Sequence, residues 1–219
     1  MSRLFAAPHR ALQDAFGTRG LADRIEALAC VTSFDAFTKD FIESRDMFFL
    51  STVDPAGRPT VSYKGGDPGF VQVQDATTLV FPSYDGNGMY LSMGNLSQAP
   101  EVGLLFMSFE KPHRIRVQGR AHLSREAADL NRFPGAELVV RVELSELWQN
   151  CPRYVHRYQK LQPSRYVPRS DCVTPLATWK RVDLVQDVLT APDAARAADA
   201  GTLGIEDWMA KVVAGDPEA

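Results

Sequence analysis

The chain has 219 residues, 45% hydrophobic and 23% charged, the balance of an ordinary soluble globular domain with extensions. Its 24 Lys and Arg against 27 Asp and Glu leave a formal net charge of −3, so no global field draws it to nucleic acid and any basic site must be local. Three scattered cysteines (Cys30, Cys151, Cys172) form neither a zinc spacing nor a disulfide framework, and no apolar run resembles a signal peptide or a membrane span, so a reducing, cytoplasmic setting is expected.

The N-terminal residues read as helical. Ala11, Leu12, Ala15 and Phe16, then Leu21, Ile25 and Leu28, recur at helical spacing. Thr32 and Asp35 fit a capping box. The helix after it carries Phe34, Phe37, Phe41 and Ile42 on one apolar face, suited to covering one end of a sheet. From Met47 the pattern becomes extended. Residues 47–53 form an apolar strand, and Asp54-Pro55-Ala56-Gly57 a turn in which proline presets the second position and glycine accepts the left-handed one. Residues 58–63 return as the partner strand, a third strand begins at Phe70, and a fourth spans 78–81. Residues 102–107, nearly all apolar, predict a strand buried on both faces, followed by strands over 114–123 and 138–144. Helices are expected over 90–99 and 125–130.

Short strands at close spacing with turn signals, and no βαβ alternation, predict a mainly β protein: an antiparallel barrel or sandwich with flanking helices. After Leu144 the chain reads as irregular. Trp179-Lys180-Arg181 falls in a segment suited to packing back on the barrel, 191–200 reads as a linker or exposed helix, and Leu203, Trp208 and Val212 mark a last helix. The expected organisation is a helical extension over 1–45, a barrel over 46–160 and a C-terminal extension over 161–219.

Four stretches carry candidate chemistry. Pro59-Thr60-Val61-Ser62-Tyr63-Lys64-Gly65-Gly66 runs a strand into a lysine and a glycine pair, an arrangement that lets backbone approach a flat ring beside a cation. The loop 81–89 leaves a strand for a helix. There, glycines with Ser83, Asn87, Ser92 and Asn95 suit either an anion cradle or an ordinary capped turn. In 114–120, Arg114, Arg116, Gln118 and Arg120 share one face of a strand, either a row for an anion or flavin edge or a solvated face. Asn150-Cys151-Pro152-Arg153-Tyr154 with His156 and Arg157 reads as an aromatic and cationic cluster rather than a cysteine nucleophile. His9, His113 and His122 are scattered and suggest no metal site, and Walker A, G-x-S-x-G and H-E-x-x-H motifs are absent.

Taken together and in order, these stretches resemble the pyridoxine 5′-phosphate oxidase-like family of FMN-binding split barrels, over roughly residues 48–123 and more weakly to Tyr154; more narrowly, Ser62 to Val71, Phe81 to Gly88, Gly94-Asn95-Leu96 and Asn150 to Tyr154 resemble its flavin-nucleotide-binding branch. That resemblance implies a homodimer with FMN at the subunit interface and an oxidoreductase activity on a small-molecule substrate; the charge balance, the arginine row without interleaved aromatics and the lack of a long apolar segment lead to the expectation of no nucleic-acid or membrane partner. It places Pro59, Thr60, Val61, Ser62 and Lys64 along the isoalloxazine edge and Ser83 and Tyr84 on the ribityl-phosphate side. Arg114, with Arg116 in the same row, would reach the ring from the second subunit. Where the vitamin-metabolising oxidase has a phosphate-clamping Ser-Arg-Lys run, this chain has Gly86, Asn87 and Gly88, and the C-terminal pyridoxal-phosphate motif is missing. Phosphate would depend on backbone N–H groups, Asn87, Ser92 and Asn95, or on Lys64 and the arginines. A deazaflavin or haem in the same barrel, a carrier without turnover, and an interaction protein that has lost its cofactor are the alternatives.

Overall fold

A computed structural model describes residues 2–219, which form two compact units, one ending at Gln159 and one starting at Lys160. In the first, three helices precede the sheet: α1 (Ala7–Ala15), α2 (Arg19–Ala29) and α3 (Ala36–Glu43). Then follow β1 (Met47–Val53), β2 (Pro59–Gly65), β3 (Gln72–Val73) and β4 (Thr78–Tyr84), α4 (Leu91–Gln98), β5 (Glu101–Ser108), β6 (His113–Ser124), α5 (Ala127–Leu130) and β7 (Ala136–Asn150). The strands make one antiparallel sheet ordered β2-β1-β5-β6-β7-β4-β3.

That sheet cannot be flat. Phe48 on β1 and Phe81 on β4 stand four strand spacings apart along it, roughly 19 Å at about 4.8 Å per step. Their rings nevertheless meet edge to face at 4.9 Å between centroids. The sheet therefore curls on itself around one core that draws on β1, β3 to β7, α3 and α4, with Phe48, Phe81 and Phe106 fully buried. The edges β2 and β3 are not paired to each other, so the barrel is split. The mainly β, split-barrel expectation holds.

Several local expectations do not. The cap of α3 is Asp35, whose Oδ1 accepts from the Thr38 N–H at 2.8 Å while Thr38 Oγ1 accepts from the Asp35 N–H at 2.9 Å. Thr32 lies too early, because Val31 is still bridged to Leu147 of β7 by two backbone hydrogen bonds. Phe37 leaves the apolar face and is exposed, its ring edge against His113. β3 is only two residues long, with Phe70 and Val71 buried before it. The strand over 102–107 is not sealed on both sides, since Gly103 and Leu105 are half-buried. The helix near 125 begins two residues later and lasts one turn.

β7 does not end at Leu144 but runs to Asn150. Its register against β6 slips between Gln118 and Gly119, so Ser145 is an extra residue: Leu144 pairs with Gly119 and Glu146 with Gln118. A bulge of this kind switches which parity faces inward. Val140 and Val142 point to the core before it and Leu147 after it, which breaks the alternation read along the chain. Gly119 is required there, because a Cβ would lie 2.4 Å from the Glu143 carbonyl oxygen.

The Gly65-Gly66 pair also has a reason other than approach to a ring ligand. A Cβ on Gly66 would sit 2.4 Å from Cγ of Phe70, and one on Gly65 would sit 2.7 Å from Cε1 of Tyr63. Gly66 makes room for the Phe70 ring, which stacks on Phe48 at 5.9 Å.

The second unit holds two 3₁₀ turns (Thr178–Arg181 and Asp183–Val188), α6 (Ala191–Ala200) and α7 (Ile205–Ala214). Residues 191–200 are thus a helix, capped by Thr190. Buried Lys180 pairs with Asp193 at 2.8 Å, tying the first turn to α6, and Val182 bridges Leu203 in parallel. No helix among the described residues is long and apolar enough to cross a membrane.

Gly66→Ala is expected to destabilise the fold by about 1–3 kcal/mol through overpacking against Phe70. Gly86→Ala, at a position with open space around it, should stay within about 0.5 kcal/mol of wild type. Urea denaturation of the two variants checks both.

Candidate functional site

β2 is an edge strand, and its inward positions are Thr60, Ser62 and Lys64. In register they face Thr52, Leu50 and Phe48 of β1, all essentially fully buried. Polar side chains on the core side of an edge strand cannot complete an apolar core: Thr60 finds polar partners inside, while Ser62 and Lys64 line an opening at the seam. The opposite wall comes from β4. Leu79, Phe81 and Ser83 share its inward face, and the register against β7 slips between Ser83 and Tyr84. The glycine loop that follows and the first turn of α4 close the third side.

The resulting cleft, about 260 Å³, is lined by Ser62, Lys64, Ser83, Tyr84, Asn87 and Ser92, with Gly86, Gly88, Met89, Tyr90, Leu91 and Met93. Ser62 and Ser92 hydroxyls meet across it at 3.1 Å. Burial pulls the Lys64 ammonium below its usual pKa of 10.5, with no acidic side chain offsetting the cost. Burial and the negative charge of Asp67 both push the Tyr84 phenol up. The start of α4 has no side-chain cap, and Gly94 is the first residue whose N–H reaches back to the turn, at Tyr90 O. The earlier amides are therefore left without a helical acceptor beside the cleft.

Six of the twelve residues singled out from the sequence come together here: Ser62, Lys64, Ser83, Tyr84, Asn87 and Ser92. The others sit elsewhere. Pro59 is exposed at the start of β2, and Val61, on the outward face, is 69% exposed. Thr60 and Asn95 join a buried network: Asn95 Nδ2 donates to Thr52 Oγ1 at 3.0 Å and Thr60 Oγ1 at 3.3 Å, and the two threonine hydroxyls are 2.7 Å apart. This network fastens α4 to the β1–β2 hairpin. Arg114 and Arg116 lie on the outward face of β6, while Ile115 and Val117 fill the core. The arginine row does share one face, but it does not enter this chain's own cleft. Tyr90 was not singled out beforehand. Nothing in its residue type announces its left-handed backbone, at φ 46°.

Residues 34–151, more than half of the chain, match the family model described as pyridoxamine 5′-phosphate oxidase. The chain belongs to that family. No curated protein matches it. Among solved structures, an FMN-binding protein from Syntrophomonas wolfei is 12% identical with a TM-score of 0.42, the match covering 64% of this chain and 97% of that one. An F420 reductase is 14% identical with a TM-score of 0.40, over 50% of this chain and 94% of the other. The haem storage protein HutZ from Vibrio cholerae is 21% identical with a TM-score of 0.39, over 52% and 92%.

In this member of the pyridoxamine 5′-phosphate oxidase family, the donor set suits a flavin. Hydroxyls, an amide and backbone N–H groups without a helical acceptor match the hydroxylated tail and carbonyl edges of such a ligand, and among the described residues Lys64 is the one cation lining the cleft. Because its folded pKa is depressed, charged Lys64 destabilises the fold at neutral pH, and that cost fades as pH rises through the folded pKa toward 10.5. Lys64→Met is therefore expected to raise the melting temperature of the cofactor-free protein near pH 7, with the gap narrowing at alkaline pH. Calorimetry across pH checks it.

Proposed function

We propose that this protein binds FMN non-covalently in the cleft between β2, β4 and α4, and works as a flavin-dependent oxidoreductase on a small-molecule substrate. The observation that carries the proposal is Lys64: a half-buried ammonium without a counter-charge, set among hydroxyls, in a member of the pyridoxamine 5′-phosphate oxidase family. An electron-rich ligand edge beside it restores the interaction that burial removes.

When bound, the flavin supplies the redox chemistry. The chain's own residues bind and orient. Lys64 places positive charge at the inner end of the cleft and favours ligand forms that carry negative charge there. Ser62 and Ser92, already in contact, each retain capacity for a further hydrogen bond. Ser83 and Tyr84 line the wall formed by the end of β4, and Asn87 and the uncapped amides of α4 take the place of the missing arginine and lysine. The Phe48, Phe81 and Leu50 core beneath keeps water from the inner side.

The proposal includes a homodimer. On the outward sheet face Val61 and Tyr63 are exposed beside Phe49, which meets the Tyr63 ring edge to face, and Leu105 and Arg116 continue the same row. An apolar row of this kind flanked by arginine suits burial against a second copy, from which Arg114 and Arg116 would reach the neighbouring site. A second reading, a flavin carrier without turnover, draws on one observation: among the described residues the cleft lining offers no carboxylate, imidazole or thiol, and its titratable groups are Lys64, Tyr84 and Tyr90.

Purified protein is expected to be yellow, to release FMN identified by mass, and to run as a dimer by light scattering. Colourless protein that takes up no added FMN would refute the reading. Affinity for FMN should fall as pH rises through the depressed Lys64 pKa, and Lys64→Met should abolish that slope in a fluorescence titration. Reduction by NADH or NADPH in stopped flow separates the enzyme from the carrier.

A further inference from the structure

Among the described residues only two that are not glycine have positive φ, Tyr90 and Tyr154, and Tyr90 stands at the mouth of the cleft. A bulky residue is sterically disfavoured there and persists only where its surroundings hold it. The holding groups are visible. The Tyr90 hydroxyl donates to Glu137 Oε2 at 2.7 Å, a charge-assisted bond that spans 47 residues of chain. Glu137 is itself the extra residue of the β4–β7 slip, since Ser83 pairs with Leu138 and Tyr84 with Ala136. Such a bulge re-aims a side chain off the regular ladder. Between the two walls, Asn87 Oδ1 accepts the Met89 N–H at 3.1 Å and Gly88 takes φ 74°, so the loop is a compact turn hung between β4 and Tyr90.

We propose that Tyr90 is a positioning residue of the cleft: its bond to Glu137 latches the loop 85–90 over the site, and opening of that latch sets how fast the flavin enters and leaves. The proposal rests on the flavin reading above. A strained residue whose side chain is tied to a distant strand by an exposed, directional bond has the features of a gate. The closed form is favoured by the bond, and the open form relieves the backbone. A gate crossed in both directions scales association and dissociation together, whereas a contact made only in the complex alters dissociation alone.

Tyr90→Phe and Glu137→Ala each break the latch without touching Lys64 or the serines. Stopped-flow mixing of cofactor-free protein with FMN, and displacement of bound FMN, should show both rates raised about five- to tenfold in either variant, as loss of one such bond implies, with Kd within about twofold in Glu137→Ala, which removes no residue lining the cleft. The double variant should be no faster than the faster single one. Unchanged rates, a rise in dissociation alone, or additive effects in the double variant overturn the latch while leaving flavin binding intact. Failure of the wild-type protein to take up FMN at all overturns the flavin reading and the gate with it.

Discussion

The small polar triangle of Thr52, Thr60 and Asn95 is the contact on which the site depends. Each member comes from a different element: β1, β2 and α4. Thr52 and Asn95 are buried, at 1% and 3% exposure, and the three side chains satisfy one another. A buried polar group without a partner is costly, so the arrangement is directional where apolar packing is not. It fixes the rotation of α4 against the hairpin and puts Ser92 opposite Ser62. Met93 and Leu96 add area to the same contact, but area alone would tolerate other rotations.

The cleft follows from a second constraint, the geometry of a sheet that curls without closing. Apart from Thr52, inward positions along β1, β5 and β6 are apolar because another wall of the barrel faces them. Those along β2 have no neighbouring strand on the far side, and there the sequence turns to Thr, Ser and Lys. The price appears in Lys64, whose charge is partly stripped of water without a partner. A group desolvated in this way marks a position where a ligand of opposite charge would gain most from binding.

Residue by residue, the hairpin was the most legible part. Asp54 accepts from the Ala56 and Arg58 amides, and Gly57 takes φ 77°, as Asp-Pro-Ala-Gly requires. The inward apolar positions of β1, β5 and β6 were legible from composition and alternation. β7 was cut short because the bulge at Ser145 switches parity, and a pattern read with a fixed period of two ends there. α3 is capped three residues later than the local pattern suggests, because Val31 is held by a strand more than a hundred residues away. Gly66 also has a packing role that no local pattern displays, because the ring that needs its space, Phe70, is placed there by the fold.

What the chain determined by itself is therefore its class of structure and its stock of groups: an antiparallel β protein with helical flanks, and a lysine, serines, a tyrosine and an asparagine in short segments. Local propensity and side-chain periodicity act within a few residues, so they can be read there. Only the tertiary structure decided which of those groups meet. Curling brought β2 and β4 to opposite sides of one seam, took Thr60 and Asn95 into an internal network, and left Arg114 and Arg116 on the far face. The physical reason is that strand order, bulge position and helix rotation are set by packing between distant segments.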